Sequence, residues 1–203
     1  APTVSEMELV RGSTFDSVFD GNTYEFVVPN TVKPIRNGTT YDYSSINLVQ
    51  GTYASDQYVH DSQVLNPKYV LSNGRVDASK IEVKVNSGGD ETAYIEAKDV
   101  SNILTTSEVY YTQENEDGFR EIYFGDGTLG KALIDGDMIT VTYIIVDETH
   151  VNGVKNFTQV TAVNGFSDST ITVLQTANGG AEKESIESIK FKATKFYTSQ
   201  NRL

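Results

Sequence analysis

Short runs of β-branched and aromatic residues, each ended by a turn containing glycine, asparagine or aspartate, dominate this sequence. The clearest run is 80–85, where Ile81, Val83 and Val85 alternate with lysine and glutamate and would share one face of a strand. Alternation of this kind is typical of a strand with one buried and one solvated side. Such runs recur about every eight to twelve residues, a spacing that favours a sandwich or a meander. The chain is therefore predicted to be mainly β, built from antiparallel sandwich or meander modules.

The strongest strand signals lie in the second half. Residues 109–112 and 120–124 flank the acidic turn 114–118, and residues 138–146 form the longest strand candidate. Ile139, Val141, Tyr143 and Ile145 would lie together on one face of that strand.

The spacing of the apolar residues changes from that of a strand to that of a helix only at the C-terminal end. Asn178, Gly179 and Gly180 interrupt the chain, and residues 181–191 have helical spacing, with Ile186 and Ile189 on one face. Glutamates precede lysines along this stretch, an order that complements the dipole of a helix. One C-terminal helix is therefore predicted.

Three parts are predicted on this basis. Residues 1–100 form one β-rich module, 101–176 form a second with a Phe-Gly-Asp-Gly hairpin, and 177–203 form a Gly-Gly hinge and helix. The first residues have the look of a cut inside a longer protein, and the chain is expected to be a fragment.

Charge and composition exclude several classes of protein. The formal net charge is −12, so nucleic acid and anionic membranes would be repelled by the average field. There is no cysteine, which removes disulfides and thiolate chemistry. The apolar runs are too short to span a bilayer.

The residues indicate no active site. His60 and His150 are the only histidines, and each lies among polar neighbours. Asp126 lies between two glycines, and Asp135 and Asp137 flank Gly136, an arrangement that favours tight turns. The register of a calcium loop is absent. We therefore expect no enzyme, and no catalytic, cofactor-binding or metal-binding residue, although a carboxylate pair that meets only in space would escape this reasoning.

Tyrosines crowd one stretch of the first half. Tyr41, Tyr43, Tyr53 and Tyr58 could line a sugar groove, or they could pack against a sheet with their hydroxyls at its rim. The alternative function is therefore a β-sandwich adhesin that binds carbohydrate or a receptor.

Two stretches of the chain, in this order, resemble a known family. The first is 122–130, with Asp135-Gly136-Asp137 and the strand 139–143 after it, and the second is 179–187, with Lys190 after it. Together they are similar to the J-type baseplate wedge family of contractile phage tails and related injection machines. Among its members, the wedge ring proteins of T-even-like myophages are those that the chain resembles most, over about residues 104–203.

The resemblance implies a structural role. It implies a component of a tail baseplate wedge that assembles through protein contacts and takes part in the rearrangement on tail contraction. Its partners would be other baseplate wedge proteins and further copies of itself, as a homodimer or a higher assembly. Its location would be the tail baseplate of the virion, after assembly in the bacterial cytoplasm. The residues expected to set geometry or contacts are Phe124, Gly125, Asp126, Gly127, Gly179, Gly180, Ile186 and Ile189.

Overall fold

The computed structural model describes residues 2–146 and 151–180. These residues form a mainly β protein with predominantly antiparallel sheets, as predicted. The strands, in chain order, are β1 (Thr14–Phe19), β2 (Asn22–Val27), β3 (Ile35–Asn37), β4 (Thr40–Asp42), β5 (Val49–Gln50), β6 (Thr52–Val59), β7 (Tyr69–Val70), β8 (Glu82–Ser87), β9 (Asp90–Glu96), β10 (Val109–Glu114), β11 (Arg120–Phe124), β12 (Met138–Ile145) and β13 (Thr158–Gln159). Short 3₁₀ turns occupy Ser5–Met7 and Ala78–Lys80. The predicted helix at 181–191 lies outside the described residues.

The larger sheet has seven strands in the order β6-β12-β8-β9-β10-β11-β7. All neighbours are antiparallel except β9 and β10, which run parallel. Parallel neighbours need a crossover of about a dozen residues, and the link 97–108 supplies it. The longest ladder joins β12 to β6, from Met138 opposite Val59 to Ile145 opposite Thr52.

One face of this sheet carries the larger core. The alternation at 81–85 and at 139–143 is confirmed, because these apolar positions are all buried there. Members of the core are Tyr69, Leu71, Ile81, Val83, Val85, Tyr94, Tyr110, Ile122, Ile139, Val141 and Tyr143.

The two ends of the larger sheet meet through side chains instead of a strand ladder. The Tyr58 hydroxyl donates to the Val70 carbonyl at 2.6 Å, and the Ser72 amide donates to Asp56 Oδ2 at 2.8 Å. The rings of Tyr58 and Tyr69 lie 5.2 Å apart. The sheet therefore curls round its core, and the free edges of β6 and β7 are partly covered.

The smaller sheet pairs strands from the first part of the chain with one strand from its last described part. Its order is β13-β1-β2-β5, and β3 and β4 form a separate two-stranded ribbon. Its core combines residues from before β5 with residues from after β12, and these are Met7, Leu9, Phe15, Phe26, Val28, Val151, Val154 and Val163.

The predicted boundary near residue 100 does not separate two sheets. It falls between β9 and β10, which are neighbours in the larger sheet. The break in the sequence pattern there is the crossover between two parallel strands. The two cores divide the chain differently: one draws on the middle of the chain, and the other on its two sides.

Gly51 links the two sheets. Its amide donates to the Glu25 carbonyl of β2 at 2.9 Å, and β6 begins at the next residue. Its φ is +126°, and an added Cβ would lie 2.2 Å from the carbonyl oxygen of Ile145. Only glycine fits this position.

Arg11 makes a second link between the sheets. Its Nη1 lies 2.6 Å from Glu82 Oε2 on β8, and its Nε donates to the Tyr53 hydroxyl at 3.1 Å. The guanidinium also lies 4.7 Å from the centre of the Tyr53 ring, within range of a cation–π contact.

Candidate protein interface

Phe124 anchors the end of β11 in the larger core. Its ring centre lies 5.9 Å from that of Tyr69 and 5.5 Å from that of Tyr94, both in edge-to-face geometry. Such pairs stabilise by about 0.5–1.5 kcal/mol beyond area burial. The loop that follows Phe124 therefore starts from a fixed point.

The Gly-Asp-Gly segment after Phe124 is a tight turn, as predicted. Asp126 Oδ1 accepts hydrogen bonds from the amides of Thr128 at 2.8 Å and Leu129 at 3.2 Å. These bonds hold the pKa of Asp126 below its ordinary value, because they favour the charged carboxylate. A Cβ added at Gly125 would lie 2.3 Å from the Leu129 carbonyl oxygen, so the backbone closes on itself there.

The prediction that Phe-Gly-Asp-Gly is the tip of a hairpin is wrong. The strands on either side of it, β11 and β12, are not neighbours: β11 pairs with β10 and β7, and β12 pairs with β6 and β8. The hairpin turn lies instead between β10 and β11, where Asn115 Oδ1 accepts from the amides of Asp117 and Phe119. Residues 125–137 form a connection across the sheet, and turn chemistry alone cannot separate these two uses.

This connection packs against the crossover between β9 and β10. The Gly130 amide donates to the Leu104 carbonyl at 3.2 Å, and the Lys131 amide donates to the Ser107 carbonyl at 2.8 Å. A Cβ at Gly130 would lie 2.7 Å from Val109 Cγ2. The two connections therefore support each other on the outside of the sheet.

A pair of tyrosines lies beside these connections. Tyr111 and Tyr123 face each other across β10 and β11, and their rings stack at 5.1 Å with 15° between the planes. The Tyr111 hydroxyl donates to the Leu129 carbonyl at 3.3 Å. Partial burial and the neighbouring Tyr123 and Asp126 raise the pKa of Tyr111, so the hydroxyl stays protonated as a donor.

These residues belong to an apolar area on the outer face of the sheet. Tyr94 and Tyr110 point into the core, so Ile95 and Tyr111 point outward. The area, called the outer patch below, consists of Ile95, Leu104, Tyr111, Tyr123 and Leu129. Ile95 is 72% exposed and Leu104 67% exposed. The sequence carries only a partial signal for this patch: alternation along 109–113 places Tyr111 on the face opposite Tyr110.

Gly179 and Gly180 lie at the smaller core, beside the connection 151–154. Gly179 has a φ of +87°. The Asn152 side chain holds Gly180 through two bonds: its Nδ2 donates to the Gly180 carbonyl at 2.8 Å, and its Oδ1 accepts from the Gly180 amide at 3.0 Å. The Gly-Gly segment is thus attached to the smaller core at this point. Ile186 and Ile189 lie outside the described residues, and their interface role stays a prediction.

The four tyrosines of the first half do not line one groove. Tyr41 and Tyr43 pack against the smaller core, Tyr58 packs against the larger core, and Tyr53 lies between the sheets under Arg11.

The predicted turn at residues 135–137 is confirmed. Asp137 Oδ2 accepts from the Ile134 amide at 2.8 Å, and Asp135 Oδ1 accepts from the Ser62 amide at 3.0 Å. His60 Nδ1 lies 2.8 Å from the Tyr69 hydroxyl, and His150 lies outside the described residues.

Within residues 2–146 and 151–180, no three histidine, aspartate or glutamate side chains come close enough to hold a metal ion. No helix in the described part of the chain is long and apolar enough to cross a membrane.

Comparison with known proteins identifies the family. Residues 54–163 match the family described as bacteriophage baseplate wedge protein gp6, third domain, and this stretch contains the larger sheet except for the first two residues of β6. The chain is also similar to the baseplate wedge protein gp6 of Enterobacteria phage T4, at 25% identity over 83% of this chain. It spans 28% of the length of that relative. The resemblance to a baseplate wedge family is therefore confirmed, and the chain belongs to the bacteriophage baseplate wedge protein gp6 family.

Proposed function

We propose that this chain is a structural part of a phage tail baseplate wedge, and that it binds other wedge proteins and further copies of itself. It acts in the virion, in the tail baseplate, after assembly in the host cytoplasm. The observation that carries this proposal is the outer patch, an exposed apolar area in a member of a baseplate wedge family.

The composition of the outer patch suits a protein interface. Interfaces are enriched in aromatic residues, and their strongest contacts centre on large side chains in well-ordered surroundings. Tyr111 and Tyr123 order each other by stacking, and the bond from Tyr111 to the Leu129 carbonyl ties them to the glycine turn. Little conformational entropy would therefore be lost when a partner covers them.

The junction between the sheets supports a role in the rearrangement on contraction. The two sheets have separate cores, and the ion pair of Arg11 and Glu82 at their junction is partly exposed, at 34% and 51% of the side chains. Exposed ion pairs contribute about 0–1 kcal/mol. A change of partners around the wedge could therefore break this ion pair at low energetic cost, while the hydrogen bond from Gly51 to Glu25 keeps the two sheets attached.

The Asp56 carboxylate has structural partners on both of its oxygens. Asp56 Oδ2 accepts from the Tyr143 hydroxyl at 2.8 Å and from the Ser72 amide, and its Oδ1 accepts from the Ser72 hydroxyl. This cluster joins the two ends of the larger sheet. The proposed role accordingly requires no catalysis.

The test is binding by the full-length protein to the other wedge proteins of the same phage. Leu104→Glu puts a charge into the outer patch, and it should weaken binding at least tenfold, or about 1.4 kcal/mol. Leu65→Glu is the matched control, because Leu65 is 89% exposed in a loop outside the patch. Light scattering of mixtures and of the protein alone measures both hetero- and self-association. If the two variants bind equally well, the outer patch is not the contact surface.

A further inference from the structure

Residues 167–175 have no strand partner among the residues that the structure describes, although both ends of the segment are fixed. Before it, Val163 and Phe166 exchange two backbone hydrogen bonds, and after it the Ala177 amide donates to the Val154 carbonyl at 2.8 Å. Between these points, no backbone hydrogen bond reaches any other residue that the structure describes. The nine amides and nine carbonyls of the segment therefore have no backbone partner within the described part of the chain.

The sequence of this segment is that of a strand. Residues 170–173 are Thr-Ile-Thr-Val, four β-branched residues in a row, which favour pleated structure. The tripeptide Ile-Thr-Val also occurs at 139–141, in the middle of β12, where it pairs with strands on both sides. The same local preference is thus satisfied at one site and unsatisfied at the other.

The stretch of chain that contains the segment carries little charge. Lysine, arginine, aspartate and glutamate make up 22% of the whole chain, yet Asp168 is the only such residue between 156 and 180. Leu174 is 78% exposed and Phe166 is 60% exposed. Depletion of charge combined with exposed large apolar residues is the pattern of an interface core.

We propose that residues 169–175 add as a β-strand to the free sheet edge of another protein. This inference rests on the proposed function in one respect: the partner is expected in the tail baseplate. The backbone supplies the affinity through main-chain hydrogen bonds, and the alternating side chains supply the specificity. The matching edge is uncharged and about five or more residues long, the usual length of a strand.

The described edges of this chain do not offer such a site to a second copy. At the ends of the two larger sheets, β5, β7 and β13 have two residues each. The eight-residue edge of β6 is crossed by the bonds of Asp56 and Tyr58 to residues 70–72. Two segments paired only with each other would form an isolated two-stranded ribbon, which is marginal in water.

Hydrogen exchange with mass spectrometry tests the proposal on the full-length protein, alone and in purified tail baseplates. The amides of 169–175 should exchange freely in the isolated protein and at least about tenfold more slowly in the baseplate. Unchanged exchange in baseplates that contain the protein would overturn the inference. Absence of the protein from baseplates would instead contradict the proposed function. Protection in the isolated protein together with a doubled solution mass would identify a second copy as the occupant and overturn the choice of partner.

Two proline variants give a sharper test, because successive amides of a strand point to opposite sides. Thr172→Pro and Val173→Pro each remove one amide, and only one of the two amides can face the partner edge. One variant should enter baseplates at least about tenfold less well than the other, and both should melt like the parent protein. Equal incorporation of the two variants, or a lowered melting temperature for either, would overturn strand addition.

Discussion

The tripeptide Ile-Thr-Val stands in two contrasting regions of this protein. In β12 it is buried between β6 and β8, and Ile139 and Val141 are 0% exposed. At 171–173 it lies on the surface, without a strand partner among the described residues. Identical local sequence therefore has two outcomes, and the surrounding chain decides between them. The central strand β12 is hydrogen-bonded on both sides, whereas the segment after the smaller core has no backbone partner among the described residues.

The largest expected effect compares the two isoleucines directly. Ile139→Ala should lower the free energy of unfolding by about 2–5 kcal/mol, because it opens a cavity in a filled core. Ile171→Ala should change it by less than about 0.5 kcal/mol, since Ile171 is a surface residue. Chemical denaturation of both variants measures the difference. Similar losses would mean that the exposed segment is part of the folded core.

The next effect concerns the connections of the larger sheet, which we expect to be packed as closely as its strands. Gly125→Ala should destabilise by about 1–3 kcal/mol, because the new methyl would meet backbone atoms of Leu129 and Gly130. Gly74→Ala is the control: neither glycine has a positive φ, and the atoms nearest to the Gly74 position lie 3.9 Å away. Thermal melting of both variants measures the difference. Equal melting temperatures would show that the connection 125–137 shifts to make room for the added methyl group.

A smaller effect is expected at the junction between the regions. Removing the Arg11 guanidinium with Arg11→Met should cost about 0.5–1 kcal/mol, because its ion pair is partly exposed and its cation–π contact is modest. A double-mutant cycle with Glu82→Gln isolates the ion pair, and added salt should reduce the coupling. A coupling well above this range would mean that the two sheets are rigidly joined.

The smallest effect concerns acid. The pKa of Asp126 is lowered in the folded protein, so its hydrogen bonds contribute stability above the unfolded value of about 3.9. This contribution is lost as the pH falls through the folded pKa. Asp126→Asn should therefore lose less stability than the parent protein between about pH 5 and pH 2, measured by denaturation across that range. An identical pH dependence would show that the turn does not need the charge.

The strands could be predicted because apolar and polar residues alternate along them. Residues 81–85 and 139–143 alternate strictly, and the structure buries the predicted face of each. Glycine and aspartate likewise marked the turns at Asp126 and at 135–137, because few other residues suit such backbone geometry.

Pairing partners and the outer patch could not be predicted in this way. The parallel contact of β9 with β10 and the separation of β11 from β12 are choices between strands far apart in sequence. Ile95, Tyr111 and Tyr123 share a surface only once those choices are made. The tight turn at Asp126 suits a hairpin as well as a connection across the sheet, so the hairpin interpretation failed there.

A cryo-electron microscopy structure of the baseplate that contains this protein tests the interface claim most directly. We expect another protein chain to cover Ile95, Leu104 and Tyr123, and residues 169–175 to lie in a sheet with a foreign strand. An assembled baseplate in which the outer patch and this segment both face water would contradict it.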